Sequence, residues 1–343
     1  MTHTLRRLMA EKPVLLADGA TGTNFFEMGL ESGDAPELWN VDAPEKVTAL
    51  HDGFVDAGAD IILTNTFGAN ANRLALHHAE NRVHELNAAA AKIAKASAAR
   101  ANRTVLVAGS VGPTGDLFEP MGKLTHADAV AAFTEQMKGL KEGGADVLWI
   151  ETMSSEEEIM AASEAAQGVE MDYVFTASFD TAGRTMMGVT PARLPKMATE
   201  MSAHSHHGPC AVGANCGVGA SDLLASILDM TKDGEVPVAI IAKANCGVPQ
   251  VKGDAVVYTG TVELMADYAR LAIDAGAKII GGCCGTTASH LAAMREAIDN
   301  HTQASRPAVD VIVEKTGPFV NALPTETPEP REPAQGRRRG RRR

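Results

Sequence analysis

Short β-rich apolar runs alternate with longer helical stretches eight times along this chain, and that alternation limits what it can fold into more than any other feature. Strands are expected over 14–17, 60–64, 104–108, 146–150, 173–177, 210–213, 238–243 and 278–281. Stretches of helical periodicity lie between them, for example 44–57, 82–100, 126–142, 222–231 and 262–275. Three helices close on a repeated phrase, Ala57-Gly58-Ala59-Asp60, Gly143-Gly144-Ala145-Asp146 and Ala275-Gly276-Ala277-Lys278. A glycine there supplies the left-handed cap that turns the chain into the next strand. Strands apolar on both faces, each followed by a helix, imply a parallel sheet covered on both sides. Eight units favour closure into a (β/α)8 TIM barrel. The rival, an open doubly wound sheet, would carry G-x-G-x-x-G after the first strand, a spacing that Gly19-Ala20-Thr21-Gly22 lacks.

Composition bears on what surrounds that barrel. Of 343 residues, 45% are hydrophobic and 22% charged, enough to bury a large core. No apolar run approaches the roughly 20 residues of a membrane span, and the N-terminus does not read as a secretory signal. The expected address is cytoplasmic. A net charge of -12 argues against nucleic acid as a partner. Oligomeric state is left open, a homo-oligomer being compatible with the sequence. The expected division is a barrel over 1–305 and an extension over 306–343, largely disordered, whose composition turns to Pro, Glu and Thr after about residue 321 and ends in Gly336-Arg337-Arg338-Arg339-Gly340-Arg341-Arg342-Arg343.

In a barrel of this type chemistry sits at the C-terminal strand ends. Those positions hold polar, Gly-rich and thiol groups, above all Gly281-Gly282-Cys283-Cys284-Gly285-Thr286 and Asn215-Cys216-Gly217. Neighbouring side chains on a strand point to opposite faces, so Cys283 and Cys284 share a metal only where the strand has ended and the backbone turns. Closure brings the sixth and eighth strand ends near each other, so Cys216 can join them. Three thiolates select zinc and leave its fourth position open, the mark of a catalytic site. Such an electron-rich centre suits alkylation of a substrate thiol better than hydrolysis. Ala244-Asn245-Cys246-Gly247-Val248 nevertheless repeats Ala214-Asn215-Cys216-Gly217-Val218. Spacing alone does not separate ligand from copy, and four cysteine ligands would make a closed, structural zinc module. Cys210, at a strand start, reads as a core thiol, and the cluster His204-Ser205-His206-His207 lies at the wrong end of a strand for the site.

With these residues in view, the chain resembles the homocysteine S-methyltransferase family, which includes betaine-homocysteine methyltransferases, S-methylmethionine-using enzymes and the homocysteine module of cobalamin-dependent methionine synthase. The resemblance runs from about Val14 to Ile298. It is carried by Asp18-Gly19-Ala20-Thr21-Gly22-Thr23, Thr64-Asn65-Thr66-Phe67, Gly109-Ser110-Val111-Gly112-Pro113, Ile150-Glu151-Thr152, Gly213-Ala214-Asn215-Cys216 and the double-cysteine motif. It implies a zinc barrel with Cys216, Cys283 and Cys284 as ligands, leaving Cys246 as a departure from the family pattern. It further implies that Asp18 and Glu151 face the homocysteine ammonium, that backbone N–H groups around Gly19, Ala20 and Thr21 receive its carboxylate, and that Thr66, Phe67 and Asn215 line the substrate.

The partners implied are homocysteine and a methyl donor. Aromatic residues are only 4% of the chain, and Trp39 looks like the tryptophan that betaine-using members set against a trimethylammonium group. Betaine is therefore the expected donor, ahead of S-methylmethionine or a dimethylsulfonium compound and of a separate methylcobalamin protein. Thr64-Asn65-Thr66-Phe67-Gly68 looks more like the methionine synthase module, and Gly68 stands where betaine enzymes of animals have a tyrosine.

Overall fold

The computed structural model describes residues 4–204, 208–234, 236–252 and 255–321. Its strands are β1 (Leu15–Leu16), β2 (Ile61–Leu63), β3 (Leu106–Val111), β4 (Val147–Met153), β5 (Tyr173–Ala177), β6 (Ala211–Cys216), β7 (Ala239–Ala244), β8 (Pro249–Lys252), β9 (Ala255–Tyr258) and β10 (Ile279–Gly282). Eight of them form one sheet in the order β1-β10-β7-β6-β5-β4-β3-β2, and its pairings are parallel. A parallel bridge from Ala17 to Ile61 and a bond from Asp60 N to Leu16 O at 2.6 Å join the two ends of that order. The sheet is thus a closed TIM barrel, and each of its eight strands falls where the alternation of the sequence puts it.

Alternation within strands builds two cores. Leu15, Ala17, Ile61, Leu63, Leu106, Ala108, Val147, Trp149, Val174, Ala211, Ile241 and Ile279 fill the barrel interior, and Leu5 and Leu8 of the helix Leu5–Glu11 join this cluster from below. The intervening strand residues, such as Ile62, Val107, Leu148, Phe175 and Val212, pack outward against the helices. Both faces are dry, which is why these strands read as continuous apolar runs. Gly58, Gly144 and Gly276 adopt φ of 99°, 95° and 97°, the left-handed caps expected of the repeated phrases. No described helix is long and apolar enough to cross a membrane.

Two features depart from expectation. After β7 the chain makes an antiparallel hairpin, β8 with β9, before its helix. In addition, the ordered body does not close at residue 305. The helix Val309–Thr316 buries Ile312, and backbone N–H groups of Val320 and Asn321 donate to the Asp222 carboxylate at 3.0 and 2.9 Å. The start of the extension is therefore structured through Asn321. The Arg-rich segment expected to be disordered, 322–343, lies outside the described residues, as does most of the histidine cluster (205–207).

Candidate active site

Continuing the inward-facing rows past the last apolar layer leads to the reactive groups. Trp149 is followed two residues on by Glu151, Ile241 by Lys243, and Ile279 by Gly281 and then Cys283. The ring of Trp149 lies 5.5 Å below the Lys243 ammonium. A charged layer therefore rests on the packed interior, with the thiols at the mouth beyond it.

The sulfurs of Cys216, Cys283 and Cys284 all lie within 4.8 Å of one another, with Cys216 Sγ 3.9 Å from Cys284 Sγ. Among the described residues they are the one group of His, Cys, Asp and Glu side chains able to converge on a single cation. Cys216 ends β6 with φ of 60°, a left-handed conformation costly for a residue with a Cβ. Beyond β10 the backbone turns, as two adjacent ligands require: Thr286 N donates to Cys283 O at 3.0 Å, and Gly285 has φ of 78°. One carboxamide ties the ligand loops together. Asn245 Oδ1 accepts from Cys284 N at 3.1 Å, and its Nδ2 donates to Gly217 O at 2.8 Å.

Hydrogen bonds from Cys216 and Cys283 hold Cys284 below the ordinary thiol range, while Cys216, bonded to both neighbours, is pushed far above it. Three sulfurs this close cannot all ionise on their own, and a soft cation removes the conflict. The donor set thus fits a thiophilic metal. Cys246 is not part of it. It is buried, its thiol points at Gly260 O at 3.4 Å, and its N–H donates to Cys284 O at 2.9 Å. The closed four-cysteine module lacks its fourth ligand. Cys210, buried against the bottom layer, is a core thiol as expected.

Glu151 is buried, accepts from Ser110 Oγ at 2.5 Å through Oε1, and is pushed up to about 7 by burial despite the nearby Lys243. Asp18, expected to share the substrate ammonium with Glu151, is engaged otherwise. Its Oδ1 lies 2.9 Å from Lys243 Nζ, and its Oδ2 accepts from Leu63 N at 2.7 Å. Both oxygens have protein partners. Of the backbone donors assigned to the carboxylate, Ala20 N is taken by Thr286 O at 3.1 Å, which also lies 2.7 Å from where a Cβ on Gly19 would stand; Thr21 opens the helix Gly22–Glu27. Asn215, expected to line the substrate, has its carboxamide engaged within the protein. Its Oδ1 accepts from Thr152 N and Thr176 Oγ1, and its Nδ2 donates to Thr152 Oγ1. Thr66 is engaged in the same way, bonded to Thr64 Oγ1 at 2.6 Å and Ser110 O at 2.7 Å. Phe67 is 38% exposed beside it.

Trp39 is half-buried, tilted on Phe25 at a centroid distance of 5.0 Å, and Lys46 Nζ stands 4.1 Å from its ring centroid. A cation already sits on it. At Gly68 a side chain would meet the buried Glu37 carboxylate, whose Oε1 lies 2.8 Å from the position of an added Cβ and accepts from Gly68 N at 2.6 Å.

The sequence reading missed three residues. Lys243 was legible as a lone charge in an apolar strand, which demands a buried partner. Asn245 and Tyr258 were not. Tyr258 ends the unexpected hairpin and packs over Gly285, with its hydroxyl turned toward Cys284 and kept protonated by burial and by thiolate charge. Two clefts of about 700 and 760 Å3 open at the opposite end of the barrel, around Arg6, Pro209 and Val238 and around Lys12, Asp60 and Arg295, away from the thiols.

Comparison with known proteins agrees with this geometry. The chain is 26% identical over 331 residues to methionine synthase of Mycobacterium tuberculosis, covering 92% of this chain and 26% of that protein. It therefore spans about a quarter of that relative's length. The metallated form of the homocysteine methyltransferase MmuM from Escherichia coli superposes with a TM-score of 0.69 at 24% identity, over 85% of this chain and 99% of that one. The apo form of MmuM gives 0.64 at 22% identity with the same coverage. Finally, the family model for homocysteine S-methyltransferases matches residues 15–298, the whole barrel with its strand-end motifs, so the chain belongs to the homocysteine S-methyltransferase family.

Proposed function

We propose that this protein methylates the thiol of homocysteine to give methionine, using zinc held by Cys216, Cys283 and Cys284. The observation that carries this reading is the convergence of those three sulfurs at the mouth. Bound there, zinc supplies an open coordination position that keeps a substrate thiol in its nucleophilic thiolate form at neutral pH. The protein's own groups orient the amino acid. Glu151 keeps Oε2 for the substrate ammonium while Ser110 fixes Oε1, and Tyr258, packed over Gly285 beside Cys284, shields the thiol from water.

Glu151 attracts an ammonium only as a carboxylate, and burial raises its pKa to about 7, so it is largely neutral below that pH and charged above it. The homocysteine KM accordingly falls as pH rises through about 7, and Glu151→Gln raises the KM and flattens the profile. Initial rates across that range check both.

The donor divides into two readings. Betaine rests on Trp39, but a trimethylammonium group would compete with Lys46 for a cation-π contact worth about 0.5–2 kcal/mol. The tyrosine of animal betaine enzymes has no room at Gly68 unless Glu37 moves. A methylcobalamin protein is supported by exposed apolar side chains in the segments that follow the strands: Phe26 (53% exposed) on the helix Gly22–Glu27, and Phe67, Leu117, Met121 and Met186. The geometry favours this second donor. The test gives the zinc-loaded protein homocysteine with betaine, S-methylmethionine, a dimethylsulfonium compound or a methylcobalamin protein, and measures methionine. Methionine from the corrinoid protein alone supports this reading, efficient turnover of betaine restores the first, and none from any donor removes the functional proposal.

A further inference from the structure

Two residues at the mouth hold backbone conformations that a side chain disfavours, and a single asparagine connects them. Thr152 has φ of 63° and Cys216 φ of 60°. Left-handed backbone is uncommon outside glycine, and for a β-branched residue such as threonine it is an outlier. In Thr152 it belongs to a bulge in β4: Ile150 pairs with Phe175 and Met153 with Ala177, so three steps along β4 match two along β5. A regular strand would turn Met153 inward. The bulge sends Ile150 and Met153 both to the helix-side core and leaves Glu151 and Thr152 together on the mouth side. The Thr152 amide is then taken by Asn215, two strands away. Asn215 Oδ1 accepts from Thr152 N at 2.9 Å and from Thr176 Oγ1 at 2.6 Å, and its Nδ2 donates to Thr152 Oγ1 at 2.7 Å. The residue is 1% exposed, and the next one in the chain is the thiol ligand Cys216.

A strained conformation persists only where its surroundings over-determine it. Without the three Asn215 bonds, a threonine at position 152 relaxes toward extended backbone, and Glu151, one residue earlier, turns with it. Ser110 holds only one oxygen of that carboxylate, Oε1 at 2.5 Å, so the aim of Oε2 is left to the backbone. We propose that Asn215 is a positioning residue: by clamping Thr152 in the bulge it aims Glu151 at the substrate ammonium, and it ties that receptor to the strand carrying Cys216. The separation between the group that grips the amino acid and the thiols that receive its sulfur is thereby set by one side chain. Asn215 touches no substrate and acts through Glu151. This rests on the reading of Glu151 as the receptor of the homocysteine ammonium.

Binding selectivity tests it. Zinc-loaded wild type, Glu151→Gln and Asn215→Ala are titrated by calorimetry with homocysteine and with mercaptobutanoate, its deaminated analogue, and the metal content of each protein is measured. In wild type homocysteine binds about tenfold or more tighter than the analogue, the worth of a charge-assisted hydrogen bond. N215A loses that preference as E151Q does, while mercaptobutanoate binds all three proteins alike and metal content holds. A preference kept in N215A, or an equal loss for both thiols, would make Asn215 a brace of the strands alone and overturn the assignment. A preference kept in E151Q would instead remove Glu151 as the receptor, and the role of Asn215 with it. Rescue is the second check, and it serves where N215A folds poorly. In N215A/T152G a glycine adopts the left-handed conformation unaided, so the preference for homocysteine returns toward the wild-type value. A folded double variant without that preference would refute the clamp.

Discussion

Cys283→Ala loses its bound metal and its methionine formation together, while Cys246→Ala keeps both. The two cysteines sit in neighbouring loops and are joined through backbone bonds to the same turn, so the contrast isolates the direction of the thiol. Cys283 belongs to a set of sulfurs within 4.8 Å of one another, and Cys246 points to Gly260 O instead. Removing one of three ligands lowers metal affinity well beyond the roughly 10- to 100-fold contributed by an outer hydrogen bond. Removing the buried Cys246 thiol costs about 1–2 kcal/mol of stability and no metal. Metal content by elemental analysis, with methionine assayed on the same samples, decides it. Equal metal loss in both variants would put Cys246 in the site.

Gly213→Ala yields little or no folded protein. A Cβ at this position on β6 would stand 1.9 Å from Ile241 O and 2.6 Å from Ile241 C, the backbone of β7. Overpacking a core against side chains costs about 1–3 kcal/mol because rotamers yield. Here two hydrogen-bonded strands must separate instead, three residues before Cys216, and the loss exceeds that range. Gly168→Ala, at the end of the helix Glu156–Gly168 with nothing within 4 Å of the new methyl, is the matched control and stabilises by up to about 1 kcal/mol. Thermal midpoints of the two variants against wild type test the pair; a Gly213→Ala protein that melts like its control would refute the close approach of β6 and β7.

The barrel was readable because its evidence is repeated. Eight apolar runs and three glycine-capped helices each make the same statement, and one misplaced boundary does not change it. The site was readable in part. Cys283 and Cys284 announced a turn by being adjacent, but Cys216 and Cys246 sit in identical pentapeptides, both followed by a left-handed glycine, Gly217 at 73° and Gly247 at 80°. What separates them is the positive φ of Cys216 itself and the hairpin that draws Cys246 away, and neither is encoded within five residues. Asp18 shows the same limit. Its charge and place suited a substrate ammonium, yet a lysine 225 positions later claims one of its oxygens. Contacts across the barrel depend on the register of distant strands, which a local pattern does not carry. The helix Val309–Thr316 within the extension was not legible for a similar reason: only Ile312 and its neighbours, packed on helices far back in the chain, give that short helix its stability.

The carboxamide of Asn245 bears on how the proposed metal site is assembled. Because that one side chain bonds both to the turn carrying Cys284 and to the carbonyl beside Cys216, the distance between the ligand loops is held by protein alone. A cation entering there is expected to need no refolding, so treatment with a chelator should leave the thermal midpoint of the barrel nearly unchanged, unlike that of small domains whose architecture exists only around their metal.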